Sequence, residues 1–446
     1  MNKTKLYYWS LTVALAGFLF GFDTVVISGA DKALSLLWSS NTLFESSDAF
    51  HGIVVMSSAL WGTVLGAIFG AWPTNNWGRK KTLIFIGVLY TVSALGSALV
   101  SDPYLFAFFR FVGGIGVGAS TIAAPAYVSE IAPAAKRGKL VALYQFNIVF
   151  GILLAYASNY LISQIVNVDA WRWMVGVEAF PAIIYTFMVL GIPNSPRWLI
   201  LKGREAEATK TLKLLNPNED PQVLIKDILK AQNSLTVKES VFSKKYRTPI
   251  MLIFAIAWFN QFSGINAFLY YSPRIFELSG LEQNSALLSS IGIGLVNLIF
   301  TLIGMFLIDN MGRKQLMYIC SFGYIMSLSL VTYSFETNWL GMHIPVFFFL
   351  FIAAHAIGQG TVIWVFISEL LPNHLRAQGQ SLGSSTHWIL AAIIPASIPM
   401  LFSNIGPAFV FGIFAFMMIL QLLWVRFLMP ETKGVSLEEL SKKLSD

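Results

Sequence analysis

Largely apolar stretches recur along almost the whole chain, separated by short charged or Pro- and Gly-rich segments. A helix of about 20 apolar residues crosses the hydrocarbon core of a bilayer and satisfies its own backbone hydrogen bonds. Apolar side chains make up 56% of the 446 residues and charged ones 12%, whereas about 25% charged is usual in soluble domains. The sequence therefore predicts an all-α polytopic membrane protein.

The breaks between apolar stretches predict twelve transmembrane helices in two sets of six. The first set is expected near 7–31, 50–74, 82–100, 103–130, 138–164 and 170–192, and the second near 247–277, 284–308, 315–335, 343–370, 378–402 and 405–428. This predicts an N-terminal six-helix bundle at 1–192, a cytoplasmic linker at 193–245, a C-terminal six-helix bundle at 246–429 and a cytoplasmic tail at 430–446. The charge-rich linker is expected to hold short amphipathic helices joined by turns, one of them at 216–218.

Basic residues collect on one predicted face of the membrane. Cytoplasmic loops of membrane proteins are enriched in Lys and Arg, so we expect both termini in the cytoplasm and the protein in the cell inner (plasma) membrane. The same rule explains the net charge of +7 without a nucleic-acid partner. The basic residues are Arg79, Lys80, Lys81, Lys136, Arg137, Lys139, Arg313, Lys314, Lys433, Lys442 and Lys443, together with those of the linker.

The sequence offers little for metal, cofactor or enzyme chemistry. Cys320 is the single cysteine, so an intrachain disulfide is excluded, and a metal site normally needs several Cys or His ligands close together. We find no nucleophile–base pair and no phosphate-binding loop. We therefore expect no metal, no cofactor and no enzymatic activity.

Two motifs recur in register in the two halves of the chain. Trp77-Gly78-Arg79-Lys80 after the second span matches Met311-Gly312-Arg313-Lys314 after the eighth. Ser129-Glu130-Ile131-Ala132-Pro133, followed by Arg137, matches Ser368-Glu369-Leu370-Leu371-Pro372, followed by Arg376. Such internal repetition is typical of transporters built from two related bundles.

Further motifs give the chain a family resemblance. They are Gly17-Phe18-Leu19-Phe20-Gly21-Phe22-Asp23, Arg110 with Gly113-Gly114, Pro193-Asn194-Ser195-Pro196-Arg197, Gln261-Phe262-Ser263-Gly264-Ile265-Asn266 and Pro430-Glu431-Thr432-Lys433-Gly434. With the repeated motifs, they make the chain resemble the sugar porter family of the major facilitator superfamily, and within it the bacterial proton-linked pentose and hexose symporters. The resemblance implies two pseudosymmetric six-helix bundles, alternating access, and transport of a monosaccharide with a proton by a monomer in the lipid bilayer.

Asp23 and Arg110 are the most informative charged residues inside predicted spans. A charge at mid-bilayer costs roughly 2.5 to 3.5 kcal/mol on insertion scales, so each needs a partner. We expect the two to face each other and a shared aqueous chamber, where Asp23 can bind and release a proton. The alternative is a permanent salt bridge between two helices. Glu178 is a candidate second acid near the outer end of its span, or else an interfacial partner of Arg172.

A sugar site needs amides for hydroxyl groups and aromatic rings for the apolar faces of the sugar. Asn260, Gln261, Asn266 and Tyr270 lie in one apolar span and supply both. The resemblance adds Gln145, Asn297, Trp364, Phe20 and Trp388, and His387 where the family usually has an amide. The alternative for each amide is a polar contact between helices.

Charged residues of the repeated motifs are candidates for gating. Networks at the cytoplasmic face would hold the outward-open state and break when the protein turns inward, or the same residues form static ion pairs. Two family acids are replaced here, by Asn75 and Asn194, while Asp309 keeps its acid in the second half. The candidates are Arg79, Glu130, Arg137, Asp309, Arg313, Glu369 and Arg376.

The sequence leaves three rivals to symport and does not identify the sugar. A passive sugar uniporter is the nearest rival, a non-transporting sugar sensor belongs to a different class, and a membrane enzyme has the least support. Xylose, glucose, galactose, arabinose or a cyclitol would each fit a site of amides and aromatic rings, because discrimination depends on its geometry.

Overall fold

The computed structural model describes residues 3–40, 46–215, 220–233, 240–372 and 375–435. Within these ranges every regular element is a helix. The predicted turn at 216–218 and the tail residues 436–446 lie outside the described residues.

Among the described residues, eleven helical elements are long and apolar enough to cross a membrane. The last has 52 residues, about 78 Å at 1.5 Å per residue, and a non-helical residue, Gly406, divides it. We label its parts α11 (376–405) and α12 (407–427), which gives the twelve predicted spans. The other helices are α1 Lys3–Leu37, α2 Ser47–Phe69, α3 Arg79–Leu99, α4 Pro103–Ile131, α5 Ala134–Ile165, α6 Ala170–Leu190, α7 Lys244–Leu278, α8 Gln283–Met311, α9 Arg313–Glu336 and α10 His343–Glu369.

Four of these helices contain breaks that hydropathy did not predict. A π-helical turn, His51–Met56, interrupts α2, and α6 is broken between Gly176 and Ala179. In α7 the break falls at Gly264, whose positive φ of 85° suits glycine. The α10 break is at Gly358. Hydropathy depends on apolar content and not on backbone direction, so it does not predict helix breaks of one or two residues.

Short helices connect the two sets of spans. They are Pro196–Leu201, Glu205–Leu215 and Pro221–Asn233. Trp198, Leu199 and Leu212 belong to a small apolar core that the linker forms by itself. The domain boundaries given above stay predictions.

Apolar packing differs between the two faces of the molecule. Near the basic loops, the first six spans have their own core, with Leu6 and Ile131, and the last six have another, with Leu371 and Met429. Toward the opposite face a single large core combines residues of α1 and α2 with residues of α7, α10 and α11. The two bundles therefore pack tightly together on the side away from the basic loops.

Glycines set the distance between α1 and α5. Gly17 lies directly against the carbonyl of Tyr144, and Gly21 against that of Ile148, with no room for a Cβ atom at either position. Small residues allow this close approach of helix backbones in a membrane. The Gly-rich motif of α1 therefore positions the segment that carries Phe20 and Asp23.

We predict that Gly21→Ala destabilises the protein by about 1–3 kcal/mol, because its methyl group would overpack the interface between α1 and α5. The matched control is Gly138→Ala in α5, where a Cβ atom meets nothing within 4 Å. Thermal unfolding of the purified protein in detergent measures both. Equal midpoints for the two variants would contradict the close-packing argument.

Candidate functional site

A buried ion pair lies at the centre of the first bundle. Asp23 of α1 and Arg110 of α4 have 2% and 1% of their surface exposed. The Arg110 NH1 group donates a hydrogen bond to Asp23 Oδ1, and its NH2 group donates to the Asp23 backbone carbonyl at 3.1 Å. The structure therefore places these two residues face to face.

Glu178 adds a second carboxyl to this ion pair. It lies at the break in α6, near the middle of the span and not at its outer end, and is 1% exposed. Its carboxyl lies within electrostatic range of both Asp23 and Arg110. Arg172 instead lies 3.8 Å from Asp169 and donates to the carbonyl of Val100. The suggested Glu178–Arg172 pair is therefore wrong.

Two buried tyrosines lie near the central cluster of Asp23, Arg110 and Glu178. Tyr90 of α3 and Tyr270 of α7 both lie within electrostatic range of Asp23, and both are fully buried. The expectation that the ion pair faces an aqueous chamber is wrong for this structure, because Asp23 and Arg110 have almost no exposed surface. Tyr270 brings a residue of the second bundle to the charges of the first.

A chain of amide hydrogen bonds runs along α7. Asn266 Nδ2 donates to Gln261 Oε1 at 2.8 Å, and Gln261 Nε2 donates to Asn260 Oδ1 at 2.9 Å. The break at Gly264 lies between these residues and turns Asn266 back toward Gln261. The three predicted amides therefore form one connected group.

The amide chain continues into α10 and α12 through residues that hydropathy and motifs did not predict. Asn260 Nδ2 donates to Gln359 Oε1 at 3.3 Å, and Gln359 Nε2 donates to Gln421 Oε1 at 2.8 Å. Gln421 donates in turn to Ser321 Oγ at 2.8 Å. Gln359 and Gln421 are isolated amides within apolar spans, and that pattern could have identified them. At this end the amides hold helices together.

Aromatic rings form a wall beside the amides. The His387 ring lies 5.1 Å from that of Trp364 and 4.9 Å from that of Trp388, measured between centroids. Gln261 Nε2 lies 3.2 Å from His387 Nδ1. Phe20 of the first bundle lies 5.6 Å from Trp388, so the wall crosses between the bundles. Phe20, Trp364 and His387 are partly exposed, unlike the amides behind them.

Two predicted sugar-binding residues stand apart from the amide chain. Gln145 is half-buried on α5. Its neighbour Tyr144 packs against Gly17 of α1, so Gln145 lies at the same depth as the α1 segment that carries Phe20. Asn297 of α8 is 7% exposed and accepts a 3.4 Å hydrogen bond from Thr301 in its own helix. The described residues do not connect either one to Gln261.

The first repeat of the charged motif forms an ion pair at the basic face. Arg79 NH2 lies 2.7 Å from Glu130 Oε1. Ser195, which follows α6, donates from Oγ to Glu130 Oε2 at 2.5 Å. Glu130 therefore connects α3, α4 and the start of the linker.

The second repeat forms the same arrangement. Arg313 donates to both carboxylate oxygens of Glu369, at 3.0 and 2.6 Å. Thr432, which follows α12, donates from Oγ1 to Glu369 Oε2 at 2.6 Å. Each ion pair joins two helices of the same bundle, and both pairs are intact although the bundles have separate apolar cores at this face. Static ion pairs therefore describe these residues better than a gating network does.

The other three gating candidates lie outside these pairs. Arg137 donates to the backbone carbonyl of Ser129 at 3.1 Å. Arg376 has a buried Nε without a hydrogen-bond partner in the described part of the chain. Asp309 is exposed, and no ion pair of the described residues includes it. The predicted seven-residue networks are therefore incomplete here.

Glu431 caps the start of α9. Its carboxylate accepts hydrogen bonds from the backbone N–H groups of Arg313 at 3.0 Å and Lys314 at 2.9 Å, and from those of Thr432 and Lys433. Burial alone would raise the pKa of this carboxyl, but the four N–H donors outweigh burial and lower the pKa below its ordinary value. The corresponding position in the first repeat is Asn194.

We predict that Glu431→Gln costs about 0.5–2 kcal/mol of stability at neutral pH, as expected for a lost helix cap. Because folding lowers the pKa of Glu431, its contribution is present above the unfolded pKa and is lost as the pH falls through the folded value. The variant should therefore lose less stability than the parent between about pH 5 and pH 3. Thermal midpoints across this range measure the effect, with Glu282→Gln as control, since Glu282 makes no capping bond at the start of α8. If the thermal midpoints of parent and Glu431→Gln changed in parallel with pH, the proposed role of the Glu431 carboxylate would be contradicted.

Comparisons with known proteins agree with this architecture. A profile described as "Sugar (and other) transporter" matches residues 9–444. The arabinose-proton symporter of Bacillus subtilis (strain 168) is 34% identical over 444 residues, which cover 97% of this chain and 94% of the relative. The D-xylose-proton symporter of Escherichia coli (strain K12) is 32% identical over 479 residues, covering 98% and 96%.

A solved structure shows the same fold. The inward-open conformation of the xylose transporter XylE from E. coli superposes with a TM-score of 0.88 at 30% identity, covering 98% of this chain and 99% of that one. The separate cores at the basic face and the shared core opposite agree with a conformation open on one side only. The chain belongs to the sugar porter family of the major facilitator superfamily.

Proposed function

We propose that this protein is a proton-coupled monosaccharide symporter that works by alternating access as a monomer in the plasma membrane. The observation that carries the proposal is the buried cluster of Asp23, Arg110 and Glu178, which lies within range of Tyr270 of the second bundle. The names of two relatives, an arabinose-proton and a D-xylose-proton symporter, support it.

Charge balance within the central cluster provides a place for the coupling proton. With both carboxyls ionised, one guanidinium leaves one negative charge uncompensated, and an unpaired buried charge is costly. A proton on Asp23 or Glu178 removes that charge. When the bundles rearrange and water reaches the cluster, the proton can leave. Binding on one side of the membrane and release on the other would couple proton and sugar movement.

The amides and rings next to the cluster suit a monosaccharide. Gln261 and Asn266 offer both donors and acceptors to sugar hydroxyls, and Trp364 and Trp388 offer apolar faces to the sugar ring. His387, hydrogen-bonded to Gln261, can donate to or accept from a hydroxyl. Gln145, Asn260 and Asn297 complete the proposed set, and Phe20 contributes from the first bundle. Tyr270 connects this site to the charges.

The proposal includes an orientation and a division of the chain. We assign the basic face to the cytoplasm, with both termini there, because Lys and Arg favour that side. The bundles at 1–192 and 246–429 would move against each other, with the linker at 193–245 and the tail at 430–446 on the cytoplasmic side. Gating at the cytoplasmic face would use contacts between the bundles. Arg137 and Arg376, which the ion pairs leave out, are the candidates.

We predict that Asp23→Asn abolishes accumulation of sugar against its gradient but spares counterflow exchange, because a neutral amide cannot carry the coupling proton. Proteoliposomes with an imposed pH gradient and a panel of pentoses and hexoses measure both activities. Glu282→Gln, which removes an exposed acid at the start of α8, is the matched control and should accumulate sugar like the parent. Concentrative uptake by Asp23→Asn would reject this residue as the coupling acid.

The same assay separates symport from its rivals. A passive uniporter would take up sugar without any response to a protonophore or to external pH. A sensor would bind sugar and show neither uptake nor counterflow.

We predict that Gln261→Ala raises the KM for the transported sugar by roughly 3- to 10-fold, as expected for the loss of one or two neutral hydrogen bonds. The control is Gln222→Ala on an exposed linker helix. Counterflow kinetics in proteoliposomes measure KM without a proton gradient. An unchanged KM would show that Gln261 only holds helices together.

A further inference from the structure

A second buried group of charges lies on the face opposite the basic loops. Asp31 of α1 is 1% exposed and His51 of α2 is 3% exposed. His51 Nε2 lies 2.6 Å from Asp31 Oδ1. Neither residue belongs to a motif described above or to the proposed transport site.

Arg274 brings the second bundle to this pair. It lies in the part of α7 that follows the break, and its NH1 group is 3.9 Å from Asp31 Oδ1, the same oxygen that His51 contacts. Its NH2 group is 3.9 Å from Asp48 Oδ1 at the start of α2. One guanidinium of the second bundle therefore lies between two carboxylates of the first.

Several polar atoms of this group have no hydrogen-bond partner. Within the described ranges these are Asp31 Oδ2, His51 Nδ1 and Arg274 NH1, all of them buried. Unpaired buried polar atoms are uncommon and call for an explanation. A contact that must form and break in each transport cycle would explain these unpaired atoms, because hydrogen bonds of ideal geometry would hold the two bundles together too firmly.

The backbone next to His51 supports a role at a moving interface. His51 begins the π-helical turn of α2, and such turns are frequent at functional sites. Gly52, the next residue, lies directly against the Ala396 carbonyl and the Pro399 ring of α11, with no room for a Cβ atom. The first and second bundles therefore touch through backbone here, and opening this face must separate them.

We propose that Asp31, held by His51, forms with Arg274 a latch that closes the mouth opposite the basic face and opens when its acidic groups are protonated. This mouth, called the outer mouth, is the place where α1 and α2 meet α7 and α11. The inference relies on the alternating-access part of the proposed function and needs no assumption about the sugar or the coupling acid.

The direction of the pH response follows from the charges. Protonation of Asp31 or Asp48 removes a negative charge that attracts Arg274. Protonation of His51 places a second positive charge on the Asp31 oxygen that Arg274 faces, which also weakens the latch. Every step of acidification therefore favours opening of the outer mouth, the side from which a proton-driven importer loads.

The other charged groups at this interface do not change that direction. Tyr271 of α7 lies within electrostatic range of Asp31 and Arg274, and its hydroxyl donates to the Pro395 carbonyl at 2.9 Å. From α11, the contacts to Gly52 are made by a backbone carbonyl and a proline ring, neither of which titrates.

A solvent-exposed ion pair between the same helices serves as the matched control. Lys32 of α1 lies 2.5 Å from Glu277 of α7, and the Lys32 side chain is 54% exposed. Exposed ion pairs contribute little to stability, whereas the latch is buried on the Asp31 side. Lys32→Gln should therefore leave the fraction of molecules with an open outer mouth almost unchanged, although this variant also removes an ion pair between the bundles.

Distances between spin labels on the two bundles test the latch. Ser39→Cys and Glu282→Cys place labels at exposed positions of the outer face, one in each bundle, and Cys320→Ser removes the native thiol. The full chain is studied in lipid nanodiscs without sugar, at pH 7.5 and pH 5.5. Pulsed electron paramagnetic resonance gives the fraction of molecules in which the outer mouth is open.

We expect acidification of the labelled parent to raise the open fraction at least threefold. Arg274→Gln should show the raised fraction at both pH values, and Asp31→Asn should do the same. Lys32→Gln should behave like the parent, and Arg274→Lys, which keeps the charge, should keep the pH response. If Asp31→Asn does not fold, Arg274→Gln decides, because its side chain is 26% exposed and easier to replace.

An open fraction in Arg274→Gln that equals the parent's at pH 7.5 would overturn the latch. So would a pH response that persists in both Arg274→Gln and Asp31→Asn. Loss of the response in Asp23→Asn together with its retention in Asp31→Asn would place the sensing proton at the central cluster and also reject the latch. The spin-label measurement requires no transport. If the protein failed the symport assay but kept the pH response of the open fraction, the proposed function would be contradicted and the latch would not.

Discussion

The contact between Asp23 and Arg110 is the constraint on which the rest of this structure depends. A carboxylate and a guanidinium in the middle of a membrane protein are tolerated only together, and bringing them together fixes α1 against α4. With Glu178 at the break in α6, the cluster contains two carboxyls and one guanidinium, so one negative charge is uncompensated unless one of the carboxyls holds a proton. The need for charge balance thereby connects the packing of three helices to proton binding.

Backbone breaks are what allow polar groups to meet in this site. A straight α7 would spread Gln261 and Asn266 along its axis, whereas the turn at Gly264 brings their amides within 2.8 Å. The break in α6 similarly places Glu178 beside Asp23. Freed backbone groups at such breaks find local partners, as Ser263 shows by donating to the carbonyl of Asn260 at 2.6 Å. Irregular backbone is tolerated at this depth because protein surrounds it.

The two faces of the molecule use different chemistry to hold helices in place. At the basic face, ion pairs such as Arg313–Glu369 act within one bundle and leave the bundles free to separate. At the opposite face, apolar packing is shared between the bundles, and Arg274 reaches across to two carboxylates. This asymmetry agrees with the likeness to an inward-open relative.

The twelve spans and the repeated motifs followed from the sequence alone, because apolar length and local motifs are properties of contiguous residues. The facing of Asp23 and Arg110 was also predictable, since a lone buried charge is too costly. The tertiary structure alone decided that the ion pair is sealed from water, that Glu178 joins it instead of pairing with Arg172, and that Gln359 and Gln421 extend the amide chain. It also brought His51 and Arg274 to Asp31. These contacts depend on helix rotation and on breaks of one or two residues, which no hydropathy pattern records.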